Sequence, residues 1–155
     1  MGETEKEKTD RQLIELLNEL RVALPGAQVL LAFLLTAPLQ SHFARTSQFE
    51  RGLLFAGVVF TGVGVLLLMA PSVYHRIRWD KGGKEDVVRT GHKLFLLGTA
   101  SLALGLFCAI FVAAELLVSL AAAILVVLAL LALVGVTWYA LPIERGRDPR
   151  LRALE

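Results

Sequence analysis

Three histidines and one cysteine are the side chains of this chain best suited to metal or redox chemistry. His75 and His92 lie at the ends of two neighbouring apolar stretches, so an antiparallel helix hairpin would bring them to a similar depth. Two such imidazoles could bind a metal ion or haem. No third ligand is in register, so we expect no metal and no other cofactor. Because Cys108 is the single cysteine, an internal disulfide and Cys-x-x-Cys chemistry are excluded.

The remaining histidine, His42, lies beside Ser41 and close in sequence to Arg45 and Glu50. Imidazole changes charge near neutral pH, which makes His42 a candidate pH sensor. The alternative is an ordinary histidine at a membrane surface.

Neutral polar residues form a second group that could take part in a function. Gln28, Thr36 and Gln40 are spaced eight and four residues apart, so on a straight helix they share one side. This polar stripe could line a water-filled pore, or it could form hydrogen bonds between helices. No ionisable residue lies near the middle of any apolar stretch, which argues against a proton-coupled exporter with a buried carboxylate. No catalytic motif is present, and we expect no enzymatic activity.

Four apolar stretches must position these residues, at about 22–43, 52–74, 94–114 and 116–141. Each is long enough to cross a hydrocarbon core, which takes about 20 helical residues, and backbone groups in lipid require helices. We therefore predict an all-α fold, a four-transmembrane-helix bundle over 25–141. A disordered polar tail (1–8) and an amphipathic helix (9–24), capped by Thr9, precede it. A basic tail (142–155) follows it.

The amphipathic helix has two interpretations. It could lie in the membrane interface, or it could pack on the bundle or on another subunit. Pro25-Gly26 is expected to separate it from the first span.

Basic residues are distributed very unevenly between the two sides. Of the 16 Lys and Arg residues, four precede position 22, six lie in 75–93 and four follow 141. The positive-inside rule then predicts that both termini are cytoplasmic in a multi-pass inner-membrane protein. The 75–93 loop should attract anionic lipid headgroups. Nothing in this distribution points to nucleic acid.

Small residues recur at helical spacing in the second and third stretches. They are Gly57 and Thr61, followed by Gly98, Ser101 and Gly105. Such residues allow helix backbones to approach closely, either within one molecule or between the copies of a homo-oligomer.

Two sequence blocks are distinctive: ELRVALPGAQ from residue 19, and APSVYHR from residue 70 with His92-Lys93-Leu94. Over about 19–141 they resemble a family of small bacterial four-span membrane proteins known only as a domain of unknown function. The resemblance implies that the cytoplasmic helix ends meet in a polar cluster of Arg21, Gln28, Tyr74, His75, Arg76 and His92. That cluster is either a hydrogen-bonded collar or a ligand site.

The function most consistent with these features is a homo-oligomeric channel or passive transport protein for an ion or small solute. One alternative is a membrane adaptor or accessory subunit of a larger complex. The other is a haem- or metal-binding protein that uses His75 and His92.

Overall fold

The computed structural model describes residues 4–41, 43, 46–78 and 84–140. Over these residues the chain forms four α-helices and no β-strand, which confirms the predicted all-α class. The helices are α1 (Glu5–Thr36), α2 (Gln48–Arg78), α3 (Lys84–Leu117) and α4 (Leu120–Val134). A 3₁₀ turn (Ala37–Leu39) follows α1, and a π-helical segment (Gly135–Ala140) follows α4.

The chain divides into two compact units, Met1–Ala109 and Ile110–Glu155, and α3 passes from one into the other. The core of the first unit is formed by Leu16, Leu20 and Leu68, which are 5%, 1% and 0% exposed. Partly buried apolar residues surround it: Leu17, Ala23, Leu24, Phe95 and Leu102. The apolar face of the predicted amphipathic helix therefore packs on the bundle.

The first helix is longer than the sequence predicts. Pro25 lies inside α1, so the expected break between 9–24 and the first span is wrong. Burial continues across the proline, from Leu20 to Ala27, and this packing holds the helix together where the backbone loses a hydrogen bond. The expected N-cap at Thr9 is also wrong. Thr4 caps α1 and exchanges hydrogen bonds with Glu7, so residues 5–8 are helical.

The second helix begins with its own reciprocal cap. The Glu50 amide donates to Ser47 Oγ over 3.2 Å, and the Ser47 amide donates to the Glu50 carboxylate. The Arg51 guanidinium folds back and donates to the Thr46 carbonyl, with Nη2 at 2.8 Å. The helix then continues through the fully buried Pro71.

Helices α2 and α3 pack closely through small residues. A Cβ atom built on Gly57 would lie 3.1 Å from Cys108 Cβ, and one built on Gly98 would lie 3.2 Å from the Gly64 carbonyl oxygen. Ser101 Oγ donates a 2.7 Å hydrogen bond to the Phe60 carbonyl across this contact. The small-residue pattern thus serves packing within one molecule.

The second unit contains the end of α3 and α4. Val118 and Ser119 form a tight turn, and the Ser119 side chain caps α4 by accepting from the Ala122 amide. Serine at this position satisfies a backbone donor that the new helix would otherwise leave free.

Candidate functional site

The beginnings of α1 and α3 meet the end of α2 at one end of the first unit. Gly91 marks the meeting point, because a Cβ built on it would contact Leu16 of α1 and lie 3.3 Å from Pro71 Cβ of α2. A side chain at position 91 would have to displace the end of the Leu16 side chain, because three helices approach this position.

A cleft of about 510 Å³ lies beside this meeting point, between α1 and α3. We call it the α1–α3 cleft. One wall is formed by α1 and the other by α3, and the lining residues are Gln12, Glu15, Leu16, Glu19, Val88, Arg89, His92 and Lys93. Four-residue and three-residue spacings place these side chains on one face of each helix. The cleft therefore has an acidic wall and a basic wall over an apolar base.

The charged groups of the cleft face each other without pairing. Within the described part of the chain, Glu15, Glu19, Arg89, His92 and Lys93 form no hydrogen bond or ion pair. Sequence reasoning placed Arg89 and Lys93 in a headgroup-attracting loop but missed both glutamates. The available signal was the acidic polar face of residues 9–24, at the same depth as the basic residues before Leu94.

The predicted polar cluster does not surround one cavity. His92 lines the α1–α3 cleft, whereas Tyr74 is half-buried beside an apolar groove of about 370 Å³ that contains Met69 and Leu94. Arg21 and Arg76 are exposed and line neither of these two cavities.

The histidine pair is placed only in part. His75 lies within α2, but its side chain is outside the described residues, as is all of His42. Among the residues that are described, no group of three or more His, Cys, Asp or Glu side chains could hold a metal ion. The pH-sensor and His75–His92 hypotheses therefore stay predictions.

The polar stripe is divided by the end of α1. Gln28 and Thr36 lie in α1, while Gln40 follows the 3₁₀ turn with an extended backbone, so the three do not share one straight helix. All three side chains are exposed. The Thr36 hydroxyl donates to the Phe33 carbonyl over 2.8 Å, which satisfies it within the helix.

The five predicted helix-packing residues lie along the α2–α3 contact. A Cβ on Gly105 would overlap Thr61 Oγ1 and would lie 3.0 Å from the Gly57 carbonyl oxygen. Gly98 and Ser101 occupy the same contact through Gly64 and Phe60. Thr61 is fully buried, and its hydroxyl has no partner within the described residues.

Four described helical segments are long and apolar enough to cross a membrane, judged by length and composition. They are Glu7–Leu39, Gln48–Tyr74, Val88–Leu117 and Leu120–Trp138. Together with the packing through small residues, they define a multi-pass membrane protein with a helical bundle.

The chain belongs to a family of unknown function, DUF6328, whose model matches residues 2–142. This match confirms the resemblance seen in the sequence blocks. No curated protein and no solved structure matches the chain.

Proposed function

We propose that this protein is a homo-oligomer that provides a passive path for an ion or small solute across the membrane. The supporting observation is Gln28, an exposed carboxamide on a membrane-spanning helix. With Thr36 it forms what we call the α1 polar face.

The α1 polar face points away from the core of the first unit. Leu20, Ala27 and Leu34 recur every seven residues and are buried against the bundle. An α-helix turns by about 100° per residue, so the side chains of Gln28 and Thr36 point away from this line of buried residues. Gln28 is nine residues beyond Glu19, about 14 Å along the helix axis, which is within the apolar stretch.

An uncovered carboxamide is unfavourable in hydrocarbon. Burying such a group without a hydrogen-bond partner costs about 2–7 kcal/mol, depending on the reference state. A second copy of the chain, or water in a path between copies, would supply the partner. Since no ionisable residue lies mid-span in any of the four stretches, we propose passive passage rather than proton coupling.

The test is the water accessibility of the α1 polar face. Single cysteines at Gln28 and Thr36, in a Cys108→Ala background, should react with a small membrane-impermeant thiol reagent in liposomes, since thiolate forms in contact with water. Phe33, 72% exposed and apolar, is the matched control on the same helix and should react more slowly, because a thiol that faces lipid stays protonated.

Transport is measured separately with dye-loaded or ion-loaded liposomes. Gln28→Leu should reduce flux without reducing protein yield, whereas Phe33→Leu should leave both unchanged. Unreactive cysteines at both polar positions, together with flux no higher than that of empty liposomes, would leave Gln28 as an interhelical hydrogen-bonding group and remove the channel proposal.

The accessory-subunit alternative is less well supported by the fold. It relied on the amphipathic helix as a docking element, but Leu13, Leu16 and Leu20 are already buried in the protein's own bundle. Only the polar face of that segment stays available to a partner. The haem alternative depends on His75, and an optical spectrum of the purified protein would test it directly.

A further inference from the structure

We infer that the α1–α3 cleft binds the headgroup of a zwitterionic aminophospholipid, with its phosphate against Arg89, His92 and Lys93 and its ammonium against Glu15 and Glu19. This inference is independent of the transport proposal, because Gln28 lies on the other side of the buried line of α1 from the cleft. Glu15 and Glu19 flank Leu16 and Leu20 on one side, and Arg21 and Gln28 lie on the other.

The cleft is open and large enough for a headgroup. Its volume of about 510 Å³ falls in the range of about 300–1,000 Å³ that is typical of small-molecule sites. Within the part of the chain that the structure describes, the five charged side chains of the two walls form no ion pair, so neither wall neutralises the other there. A ligand with one positive and one negative group would complement both walls.

The position of the cleft along the helices matches the headgroup layer. Lys93 directly precedes Leu94, where the third apolar stretch begins, and Glu19 precedes the first apolar stretch by three residues. The charged walls therefore lie just outside the hydrocarbon boundary. Leu16, 5% exposed, supplies the apolar base at the same level.

The two glutamates determine which headgroup fits. Phosphatidylethanolamine carries a phosphate and a primary ammonium with three N–H donors, which form charge-assisted hydrogen bonds with carboxylates. Phosphatidylcholine has the same charges but no N–H donor. Phosphatidylglycerol has no cation, and its phosphate would leave both carboxylates unpaired. The expected order of binding is ethanolamine, then choline, then glycerol headgroup, whereas basic residues alone would favour the anionic lipid.

The experiment uses the full-length protein in detergent micelles containing one added phospholipid with matched acyl chains. Lipid retention is measured by native mass spectrometry, and thermal stabilisation is measured alongside it. We expect phosphatidylethanolamine to be retained about tenfold more strongly than phosphatidylglycerol, as one charge-assisted hydrogen bond of about 1.5 kcal/mol would give.

Variants of each wall test the contributions of the acidic wall and the basic wall separately. Glu15→Gln with Glu19→Gln should remove the preference for phosphatidylethanolamine. Arg89→Gln with Lys93→Gln should weaken the binding of all three lipids. Glu7→Gln is the acidic control, because glutamine also completes a capping box, and Arg76→Gln is the basic control. Both residues are exposed and lie outside the cleft lining, and neither control should change retention.

Three results would overturn the inference. The first is retention of phosphatidylglycerol equal to or greater than that of phosphatidylethanolamine. The second is equal stabilisation by soluble glycerophosphoethanolamine at the same concentration, which would reject a membrane lipid as the ligand. The third is a fall in melting temperature of both double variants without lipid, combined with no lipid preference in the parent protein. That result would mean that the two walls pair with each other in solution.

Discussion

Thr61 and Gly105 pack closely against each other between α2 and α3. Thr61 is fully buried, and Gly105 leaves just enough room for its hydroxyl oxygen. Moving an apolar side chain from lipid into a helix contact gains little free energy, because lipid is equally apolar. Helix association therefore depends on such close packing and on interhelical hydrogen bonds. The neighbouring Ser101–Phe60 bond provides one of the latter.

Gly105→Ala should therefore be poorly tolerated. The added methyl would overlap Thr61 Oγ1 and press on two backbone atoms, Gly57 O and Thr61 N, each 3.0 Å away. Overpacking of this kind costs about 1–3 kcal/mol. We expect a lower melting temperature and a lower folded yield, measured by fluorescence-detected size-exclusion chromatography after heating.

Gly62→Ala is the matched control for this substitution. Gly62 lies on α2 as well, but a Cβ built there meets no atom within 4 Å. The same change at this position should leave stability unchanged or slightly increased, since alanine favours helix. Equal behaviour of the two variants would mean that α2 and α3 do not pack through Gly105.

Small residues at helical spacing predicted this contact from the sequence, because that spacing can be read within each helix separately. The charged cleft could not be predicted in the same way. Glu15 and His92 are far apart in sequence, and their approach depends on how α1 is rotated about α3. Neither charge nor spacing determines that rotation.

Pro25-Gly26 shows how tertiary packing overrides a local signal in a helix. Proline removes a backbone donor and usually ends or kinks a helix in water. In membrane helices it is tolerated when neighbouring helices hold the segment in place. Leu20 and Ala27, on either side of the pair, are both buried in the bundle, so α1 continues.

A distance measurement distinguishes one continuous α1 from two helices. Spin labels on Ile14 and Leu35, both exposed, are 21 residues apart in sequence. At 1.5 Å per residue, a continuous helix places their backbones about 32 Å apart. A first segment lying flat in the interface, at about a right angle to the span, would shorten this distance to about 22 Å.

The measurement is made by pulsed electron paramagnetic resonance in liposomes, in a Cys108→Ala background. A second label pair within α2, at Phe55 and Met69, calibrates the helical rise in the same molecule. A short or bimodal α1 distance beside a normal α2 distance would mean that the chain bends at Pro25.

Hydropathy and length predict the whole molecule better than its parts. Four apolar stretches sufficed to give the helix number and the membrane class, because a hydrocarbon core imposes the same length and hydrogen-bonding requirement on each. Helix ends were less predictable. The caps at Thr4 and Ser47 depend on local hydrogen bonds, and the passage of α2 through Pro71 depends on tertiary packing, since Pro71 is fully buried.

The charge distribution leads to an expectation about orientation that the fold alone does not give. Fourteen of the 16 Lys and Arg residues fall in the two termini and the 75–93 loop. Reporters fused to either terminus, or inserted between Gly82 and Gly83, should therefore be cytoplasmic. A reporter inserted beside Ser47 should lie on the other side of the membrane.

Paired reporters that are active on opposite sides, such as alkaline phosphatase and green fluorescent protein, provide the measurement. Replacing Arg45 and Arg51 with glutamine should leave the reporter pattern unchanged, because it removes only the two basic residues that are expected on the non-cytoplasmic side. A periplasmic reporter at Gly82-Gly83 would invert the whole arrangement.

The unbroken α1 links the packing at its two ends. Leu16 contacts Gly91 of α3, and Thr36 lies 20 residues beyond Leu16, about 30 Å along the helix axis. A tilt of α1 by about 10° about this contact would displace its far end by about 5 Å. Such a tilt would also have to move Ala27 and Leu34, which are both buried, so a change at the first turns of α1 acts on the packing of the whole helix.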